Sequence, residues 1–263
     1  MNAANSETVL ITGASSGIGL ELAKCFAADK SKLILVARNT DALATLAAEL
    51  RLKHGIEVKV LTADLSLPKT PQRIFEELRA AKISVDVLVN NAGFGAHGAF
   101  AGLSLPRQLE MIQVNVTALT ELTGLFLPEM IRRKRGGILN VSSVAGFLPG
   151  PGMAVYYATK AFVLSFSEAL AEELSETDLI VSVLCPGPTE SNFGNVARGE
   201  KTRRVQTAKM SAPEVARSGH RAFRKGKTIV VPGLQNKLFV FLTRLMPRWL
   251  PPKAVKAYNH MNK

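Results

Sequence analysis

The sequence predicts an α/β fold, built on a doubly wound parallel sheet of about seven strands with helices on both faces. Three observations support this prediction. Short β-branched segments alternate with helix-length segments, the strand segments are apolar almost throughout, and a glycine-rich turn follows the first of them. Apolar strands separated by helical crossovers are typical of a parallel sheet covered on both faces.

Seven segments have the composition of strands, and they are spread over most of the chain. They are Thr8–Thr12, Lys32–Ala37, Glu57–Thr62, Val85–Asn90, Gly137–Val141, Leu179–Cys185 and Thr228–Val231. Right-handed crossovers and a reversal of strand order near the middle of such a sheet create a ligand crevice at the carboxyl ends of the strands. We therefore expect the functional residues to lie at strand ends.

The domain organisation is predicted to be simple. With 263 residues and 47% hydrophobic content, residues 1–263 can form one domain around one core. The polar, glycine-bearing stretch at about 188–210 is predicted to be a lid over the crevice, followed by a capping-box helix start at Ser211-Ala-Pro-Glu214. A basic C-terminal extension covers about 233–263.

The sequence favours a cytoplasmic location. The first strand begins too early to leave room for a secretory leader, and apolar runs such as Leu238–Leu242 are too short to span a bilayer. Cys25 and Cys185 have no Cys-x-x-Cys pairing, so we interpret both as small buried hydrophobic residues.

The net charge of +12 is unevenly distributed. Residues 1–190 contain 17 Lys+Arg and 19 Asp+Glu, whereas residues 191–263 contain 16 and 2. This asymmetry indicates either attraction to an anionic partner or a solvated basic surface. Binding to nucleic acid is not expected, because the basic segment carries no known nucleic-acid-binding module.

A glycine-rich turn connects the first strand to the first helix. Its spacing is G-x-x-x-G-x-G rather than the common G-x-G-x-x-G. Glycines at this place allow a tight turn and let backbone N–H groups approach a dinucleotide pyrophosphate, although purely structural turns also contain glycine. The predicted pyrophosphate-binding residues are Gly13, Ser15, Ser16, Gly17, Ile18 and Gly19.

The residue after the second strand predicts the type of dinucleotide. An NAD-binding protein carries an acidic residue there, whereas this chain has Ala37 and then Arg38. A guanidinium can bind a ribose 2′-phosphate through two hydrogen bonds. Arg38 therefore favours NADP(H), unless it is only a surface residue.

An ordered set of motifs resembles the short-chain dehydrogenase/reductase family along essentially the whole chain. The motifs are the Gly13–Gly19 turn, Asp64-Leu65, Asn90-Asn91-Ala92-Gly93, Ser143, Tyr156-x-x-x-Lys160 and Pro186-Gly187. The resemblance implies a Rossmann-like fold, a homodimer or homotetramer, and a family variant of the glycine fingerprint. It also implies that the cofactor-binding residues include Asp64, Leu65, Asn91, Ala92, Gly93, Tyr156, Lys160, Pro186, Gly187 and Thr189.

The predicted reaction is the interconversion of a carbonyl and an alcohol. Tyr156 and Lys160 lie four residues apart in a helical segment and share one face, so we expect the ammonium to lower the tyrosine pKa from about 10. Tyr156 then acts as proton donor or acceptor, while Ser143 stabilises the charge on the reacting oxygen. The resemblance adds that Lys160 holds the nicotinamide ribose and that Asn115 supports a water relay to Lys160.

Several neighbouring residues have other interpretations. Tyr157 does not fit the family spacing and is assigned to packing, and Ser142 is expected to point to the opposite side of the strand end. Asn115 could be an ordinary helix cap. The histidines show no spacing that predicts a metal site; they are His54, His97, His220 and His260.

Three functions fit these residues. The first is reduction or oxidation of an apolar ketone, aldehyde or alcohol; the second is reduction of a 3-oxoacyl thioester carried by CoA or an acyl carrier; the third is regulation through NADPH binding without turnover. An apolar substrate is suggested by side chains predicted to line the pocket, although such residues often belong to the core. They are Phe94, Phe147, Leu148, Met153 and Phe193.

The C-terminal extension contains one apolar helical stripe. Leu238, Phe241, Leu242 and Leu245 lie at i, i+3, i+4 and i+7, with Lys237, Arg244 and Arg248 beside them. One interpretation is packing of this stripe on the domain or on a second subunit. The other is a reversible, salt-sensitive contact with an anionic membrane or acyl carrier.

Overall fold

The fold class predicted from the sequence is confirmed. The computed structural model describes residues 7–190 and 210–261. Seven parallel strands form one sheet: β1 (Thr8–Thr12), β2 (Lys32–Ala37), β3 (Val58–Thr62), β4 (Val87–Asn90), β5 (Gly137–Val141), β6 (Ile180–Leu184) and β9 (Ile229–Val230). Their order in the sheet is β3-β2-β1-β4-β5-β6-β9.

The predicted strands differ from the observed ones mainly at their ends. The bounds of β1, β2 and β5 agree with the prediction, whereas β4 begins two residues later and β9 is reduced to two residues. The pairing of β9 with β6 extends only over Ile229 and Val230. Thr228 and Val231 lie outside this short edge strand, although the Thr228 carbonyl still accepts a hydrogen bond from the Val183 N–H at 2.7 Å.

Helices cover both faces of the sheet. The helices are α1 (Gly17–Ala28), α2 (Thr40–His54), α3 (Thr70–Ala80), α4 (Leu105–Ile112), α5 (Ala118–Arg133), α6 (Ala154–Glu173), α7 (Ala212–Arg224), α8 (Leu234–Leu245) and α9 (Leu250–Met261). One large core cluster contains residues of α1, α2 and α7 with Val9 and Ile11 of β1; a second contains residues of α3, α5 and α6 with Leu10. Alternate residues of a strand point to opposite faces, so β1 contributes to both clusters.

The strand order determines where a ligand crevice forms. The chain runs outward from β1 to β3 on one side and from β4 to β9 on the other, so the order reverses between β1 and β4. In open parallel sheets the crevice lies at the carboxyl ends of the strands beside this reversal. The turns after β1 and β4 are therefore the expected ligand-binding positions.

The borders of the predicted lid are described, but its interior is not. Thr189–Glu190 (β7) pairs in parallel with Met210–Ser211 (β8), and Ser211 and Glu214 form the predicted capping box at the start of α7. Most of the predicted lid, with Phe193, lies outside the described residues. Within residues 7–190 and 210–261, no helix is long and apolar enough to cross a membrane.

Candidate active site

The glycine-rich turn lies at the carboxyl end of β1. Gly13 and Gly17 have φ angles of +66° and +57°, which favour glycine. A Cβ atom on Gly19 would lie 2.3 Å from the carbonyl oxygen of Gly13. The turn therefore folds closely onto the start of α1, and the N-terminus of a helix is a favourable position for binding a phosphate.

The side chains of this turn have unequal access to a ligand. Ser15 is half-buried and Ser16 is exposed. Ser16 precedes α1 without making a side-chain capping hydrogen bond. Ile18 packs against the core, so only its backbone is available to a dinucleotide.

Thr12 joins the turn after β1 to the turn after β4. Its hydroxyl accepts hydrogen bonds from the backbone N–H groups of Asn91 and Ala92, both at 3.0 Å. The Asn91 side chain donates in return to the carbonyl oxygens of Thr12 and Gly13, at 2.9 and 3.2 Å. Sequence reasoning did not single out Thr12 as a site residue, although its place just before the glycine turn was a usable signal.

Asn90 does not take part in the crevice. It is buried, and its side-chain nitrogen donates to Asn140 at 2.9 Å and to Thr123 at 3.2 Å. Asn90 therefore belongs to the end of β4 and not to the turn that contains Asn91, Ala92 and Gly93. Its side chain points away along the sheet, because successive residues of a strand alternate in direction.

Arg38 and Asp64 lie together after neighbouring strands. The Nη1 atom of Arg38 is 4.0 Å from Oδ2 of Asp64, and the Arg38 side chain is 67% exposed. The other carboxylate oxygen of Asp64 accepts from the backbone N–H of Ser66 at 2.9 Å. Leu65 is buried in the core, so its side chain does not face the crevice.

Tyr156 and Lys160 lie on one face of α6, as predicted. The Nζ atom of Lys160 is 5.9 Å from the centre of the Tyr156 ring. This nitrogen donates to the carbonyl oxygen of Val141 at 2.8 Å, which ties α6 to the end of β5. Ser143 follows β5 and hydrogen-bonds with Tyr156, so the three side chains come together at one place.

The pKa of Tyr156 shifts in the direction opposite to the prediction. Burial raises the pKa of the Tyr156 phenol well above its ordinary value, and the hydrogen bond with Ser143 only partly offsets this effect. Burial also lowers the pKa of Lys160 to about 8. The prediction that Lys160 lowers the tyrosine pKa is wrong here, because desolvation of the Tyr156 phenol dominates the shift of its pKa. The Lys160 ammonium donates to the Val141 carbonyl instead of to the phenol.

Ser142 and Tyr157 have structural contacts, as expected. Ser142 donates to the backbone carbonyl of Lys160 at 2.7 Å. A Cβ atom on Gly150 would lie 2.2 Å from the Tyr157 ring, so the ring packs directly on that turn. Neither side chain therefore takes the place of Ser143 or Tyr156 in the candidate active site.

Asn115 is buried inside the π-helical turn Gln113–Thr117 that joins α4 to α5. Its side chain accepts from the Phe94 N–H at 3.1 Å and donates to the Phe94 carbonyl and the Thr159 hydroxyl, both at 3.0 Å. The helix-cap interpretation is wrong, because Asn115 lies within a continuous helical segment. A Cβ atom on Gly93 would lie 3.0 Å from Asn115 Oδ1 and 3.4 Å from Lys160 Nζ.

The turn after β6 closes the cluster. The carbonyl oxygen of Pro186 accepts from the Val144 N–H at 3.0 Å and from the Ser143 hydroxyl at 3.3 Å. Thr189 donates to the carbonyl oxygen of Gly187 at 2.9 Å. The Pro186–Gly187 turn thereby lies beside Ser143, at the carboxyl ends of β5 and β6.

Only part of the predicted substrate lining surrounds Tyr156. Phe94 and Met153 pack in the same apolar cluster as Tyr156, which also includes Ala96 and Met111. Phe147 is half-buried and packs against a core cluster containing Val163 and Cys185, which favours the core alternative for this residue. Leu148 is buried.

The two cysteines of the chain differ in their burial. Cys185 is buried, whereas Cys25 is only half-buried, and both are free thiols. In the described part of the chain, no group of three or more His, Cys, Asp or Glu side chains is placed to hold a metal ion.

Comparison with known proteins identifies the family. The family model for short chain dehydrogenases matches residues 7–201. The chain belongs to the short-chain dehydrogenase/reductase family. This family member is 30% identical over 265 residues to the very-long-chain 3-oxoacyl-CoA reductase of Rattus norvegicus, covering 96% of this chain and 80% of the relative.

Solved structures of the family superpose over most of this short-chain dehydrogenase. A short-chain dehydrogenase from Sphingobium yanoikuyae in complex with NADPH matches with a TM-score of 0.79 and 35% identity, covering 91% of this chain and 95% of the other. The bulky-bulky ketone specific alcohol dehydrogenase from Comamonas testosteroni matches with a TM-score of 0.78 and 32% identity, covering 92% and 94%.

Proposed function

We propose that this protein is an NADPH-dependent oxidoreductase that interconverts an apolar ketone or aldehyde and its alcohol. One observation carries the proposal: Tyr156 is buried, hydrogen-bonded to Ser143 and one helical turn from Lys160, beside the carboxyl ends of β5 and β6. A proton donor, an oxyanion-stabilising hydroxyl and a cation are the groups that carbonyl reduction requires.

The residues beside this cluster fit a dinucleotide. Gly13, Gly19 and Gly93 lie where a Cβ atom would meet neighbouring protein atoms at 3.0 Å or less, and glycines that allow such close packing are typical of dinucleotide-binding turns. Arg38 is exposed at the end of β2 and suits a 2′-phosphate. The related Sphingobium dehydrogenase was solved with NADPH, which supports the choice of cofactor.

Each part of NADP(H) has proposed partners along the crevice. Asp64, with the Leu65 backbone, holds the adenine, and Lys160 holds the nicotinamide ribose. Bound NADPH supplies the hydride for the carbonyl carbon. The pyrophosphate and the nicotinamide are held by Gly13, Ser15, Ser16, Gly17, Ile18, Gly19, Asn91, Ala92, Gly93, Pro186, Gly187 and Thr189.

Side chains of the protein supply the proton that carbonyl reduction requires. Because burial raises its pKa, Tyr156 stays protonated at neutral pH and can donate its proton to the oxygen of the reacting carbonyl. Ser143 donates a hydrogen bond to the same oxygen and stabilises its developing charge. Lys160, with a pKa of about 8, exchanges protons near neutrality, and Asn115 holds the Phe94 backbone beside it.

The substrate is proposed to be apolar at the reacting end. Tyr156 shares its cluster with Phe94, Ala96, Met111 and Met153, so a carbonyl that reaches the phenol passes between apolar side chains. The Comamonas relative is specific for bulky-bulky ketones, which supports this substrate class. The second candidate is a 3-oxoacyl thioester, as the name of the Rattus norvegicus reductase suggests.

A panel assay tests the proposal and separates its alternatives. Loss of NADPH absorbance is measured with bulky aromatic ketones, simple aliphatic ketones and acetoacetyl-CoA. Turnover of the bulky ketones with a higher kcat/KM than acetoacetyl-CoA supports the proposal, and the reverse order supports the thioester reductase. Tight NADPH binding without turnover of any carbonyl would support a regulatory protein instead.

Assembly and location remain predictions. A homodimer or homotetramer is supported by exposed apolar side chains on α4 and α6, namely Leu109, Ile112 and Phe162, since such side chains are often covered by a partner. Light scattering during size-exclusion chromatography measures the assembly directly. The single-domain organisation and the cytoplasmic location also stay predictions.

A further inference from the structure

The apolar stripe predicted in the C-terminal extension faces away from the domain. Helix α8 packs inward through Asn236, Val240 and Thr243, which lie at i, i+4 and i+7. The opposite face carries the predicted stripe, with Phe241 58% and Leu245 68% exposed. The expectation that this stripe packs on its own domain is therefore wrong.

The exposed apolar surface continues beyond the stripe. Leu234 at the start of α8 is 82% exposed, and Trp249, before α9, is 62% exposed. We call the exposed apolar residues of this region the C-terminal face: Leu234, Leu238, Phe239, Phe241, Leu242, Leu245, Met246 and Trp249. Contiguous apolar patches on a protein surface usually mark contacts with a partner or a membrane.

The charge around the C-terminal face has one sign. Residues 233–263 contain six Lys and Arg residues and no Asp or Glu. Lys237, Arg244, Arg248 and Lys253 are exposed, and no ion pair found in the described ranges involves them. The Nζ atom of Lys253 lies 5.1 Å from the centre of the Trp249 ring.

This combination disfavours a second copy of the chain and favours a lipid surface. In a two-fold interface the same patch meets itself, so the cations of one copy would face those of the other without an acidic partner. An anionic bilayer neutralises the cations and accepts apolar side chains at the headgroup boundary. Tryptophan suits this boundary, because its ring is apolar and its N–H is polar.

We propose that the C-terminal face docks reversibly on an anionic membrane surface. Leu238, Phe241, Leu242 and Leu245 enter the headgroup and acyl boundary, and Arg244 and Arg248 with their neighbours contact anionic headgroups. This docking goes beyond the proposed reaction and does not depend on it.

The position of α8 brings the membrane close to the candidate active site. A Cβ atom on Gly187 would lie 2.3 Å from Asn236, and one on Gly233 would lie 3.0 Å from the Met210 sulfur. Helix α8 also contacts the 3-10 turn Val144–Phe147, which follows Ser143. A docked molecule would therefore hold its crevice near the bilayer, where apolar carbonyl compounds concentrate.

The single tryptophan of the chain provides the test. Trp249 emission and co-sedimentation are measured with vesicles of phosphatidylcholine alone and of phosphatidylcholine with phosphatidylglycerol, at low and high salt. We expect a blue shift and co-sedimentation with the anionic vesicles at low salt, and release at high salt, because screening weakens the electrostatic attraction. Unshifted emission and protein left in the supernatant with anionic vesicles at low salt would overturn the proposal.

Two double variants separate the apolar and electrostatic contributions. Phe241→Ser with Leu245→Ser and, separately, Arg244→Glu with Arg248→Glu are each expected to weaken vesicle binding about tenfold or more. The matched charge control is Lys53→Glu with Arg73→Glu, on exposed positions of α2 and α3, and should bind like the wild type. Equal weakening of vesicle binding in this control would show that only the net charge of the protein matters. That result would contradict docking through the C-terminal face.

Two further outcomes would assign the face to another partner. A blue shift that depends on protein concentration, without vesicles, would indicate self-association. A shift caused by an acidic acyl carrier protein but not by vesicles would indicate a protein partner. Either result would overturn the membrane proposal, and neither depends on catalytic turnover.

Discussion

Asn236 fills the space directly beside Gly187. A Cβ atom on Gly187 would lie 2.3 Å from the side-chain oxygen of Asn236, whose nitrogen donates to the Pro232 carbonyl at 2.7 Å. The first helix of the C-terminal extension thus packs on the turn that is proposed to hold the nicotinamide. Any enlargement of Gly187 must displace the Asn236 side chain, with its hydrogen bond to Pro232, or the turn itself.

Gly187→Ala is therefore expected to impair both stability and NADPH affinity. Overpacking of a filled site typically costs about 1–3 kcal/mol. Adding Asn236→Ala should restore most of the loss, because it removes the atoms that the new methyl group meets. Urea unfolding and NADPH titration of both single variants and the double variant test this coupling. Additive losses in the double variant would contradict it.

Tyr156→Phe is expected to abolish carbonyl reduction while leaving NADPH binding largely intact. The variant loses only the proton donor, and general acid catalysis contributes roughly 10²–10⁴-fold. The measurement is kcat with the best ketone of the panel, together with the Kd of NADPH. Tyr157→Phe is the matched control and should keep near wild-type turnover. Near wild-type activity of Tyr156→Phe would exclude the proposed mechanism.

Arg38→Asp is expected to shift cofactor preference from NADPH toward NADH. The carboxylate repels a 2′-phosphate and can accept hydrogen bonds from ribose hydroxyls. The ratio of kcat/KM values for the two cofactors measures the change. Arg132→Asp, at an exposed position near the end of α5, changes the net charge equally and should leave the ratio unaltered. An unchanged ratio in Arg38→Asp would show that Arg38 does not contact the cofactor.

The buried ammonium of Lys160 should make stability depend on pH. Its pKa is lowered from 10.5 to about 8 by burial, so between these values the unfolded chain binds more protons than the folded one. The Lys160 contribution to the free energy of unfolding therefore rises with pH, by about 2 kcal/mol between pH 8 and pH 10. Below pH 8 Lys160 is protonated in most folded molecules, so burial of its charge lowers the free energy of unfolding there.

Comparison with Lys160→Met isolates this contribution. Urea unfolding of both proteins without cofactor is measured from pH 7 to pH 10, so that the titration of other groups cancels in the difference. The free energy of unfolding of the wild type should rise relative to that of the variant as the pH increases. A difference that stays constant with pH would show that Lys160 keeps its ordinary pKa in the folded protein.

The sequence by itself predicted the parallel sheet and the strand ends at which the functional residues lie. Apolar β-branched segments, a glycine turn after the first strand and Tyr156 four residues before Lys160 are local patterns. Local patterns predict secondary structure and side-chain direction well, because both follow from backbone geometry. Together with the family resemblance, they predicted that Ser143, Tyr156 and Lys160 share one site. In the structure Ser143 hydrogen-bonds with Tyr156, and Lys160 Nζ lies 5.9 Å from the centre of the Tyr156 ring.

Only the tertiary structure decided how far each group is exposed to solvent. The pKa of Tyr156 rises instead of falling, Phe147 packs against the core, and Asn90 turns into the sheet, because burial depends on every element packed around a residue. The same holds for Leu245, because an apolar helical stripe has the same sequence pattern whether it packs against the domain or faces solvent. The inward face of α8 carries Asn236, Val240 and Thr243. Leu245 lies on the opposite face and is exposed to solvent.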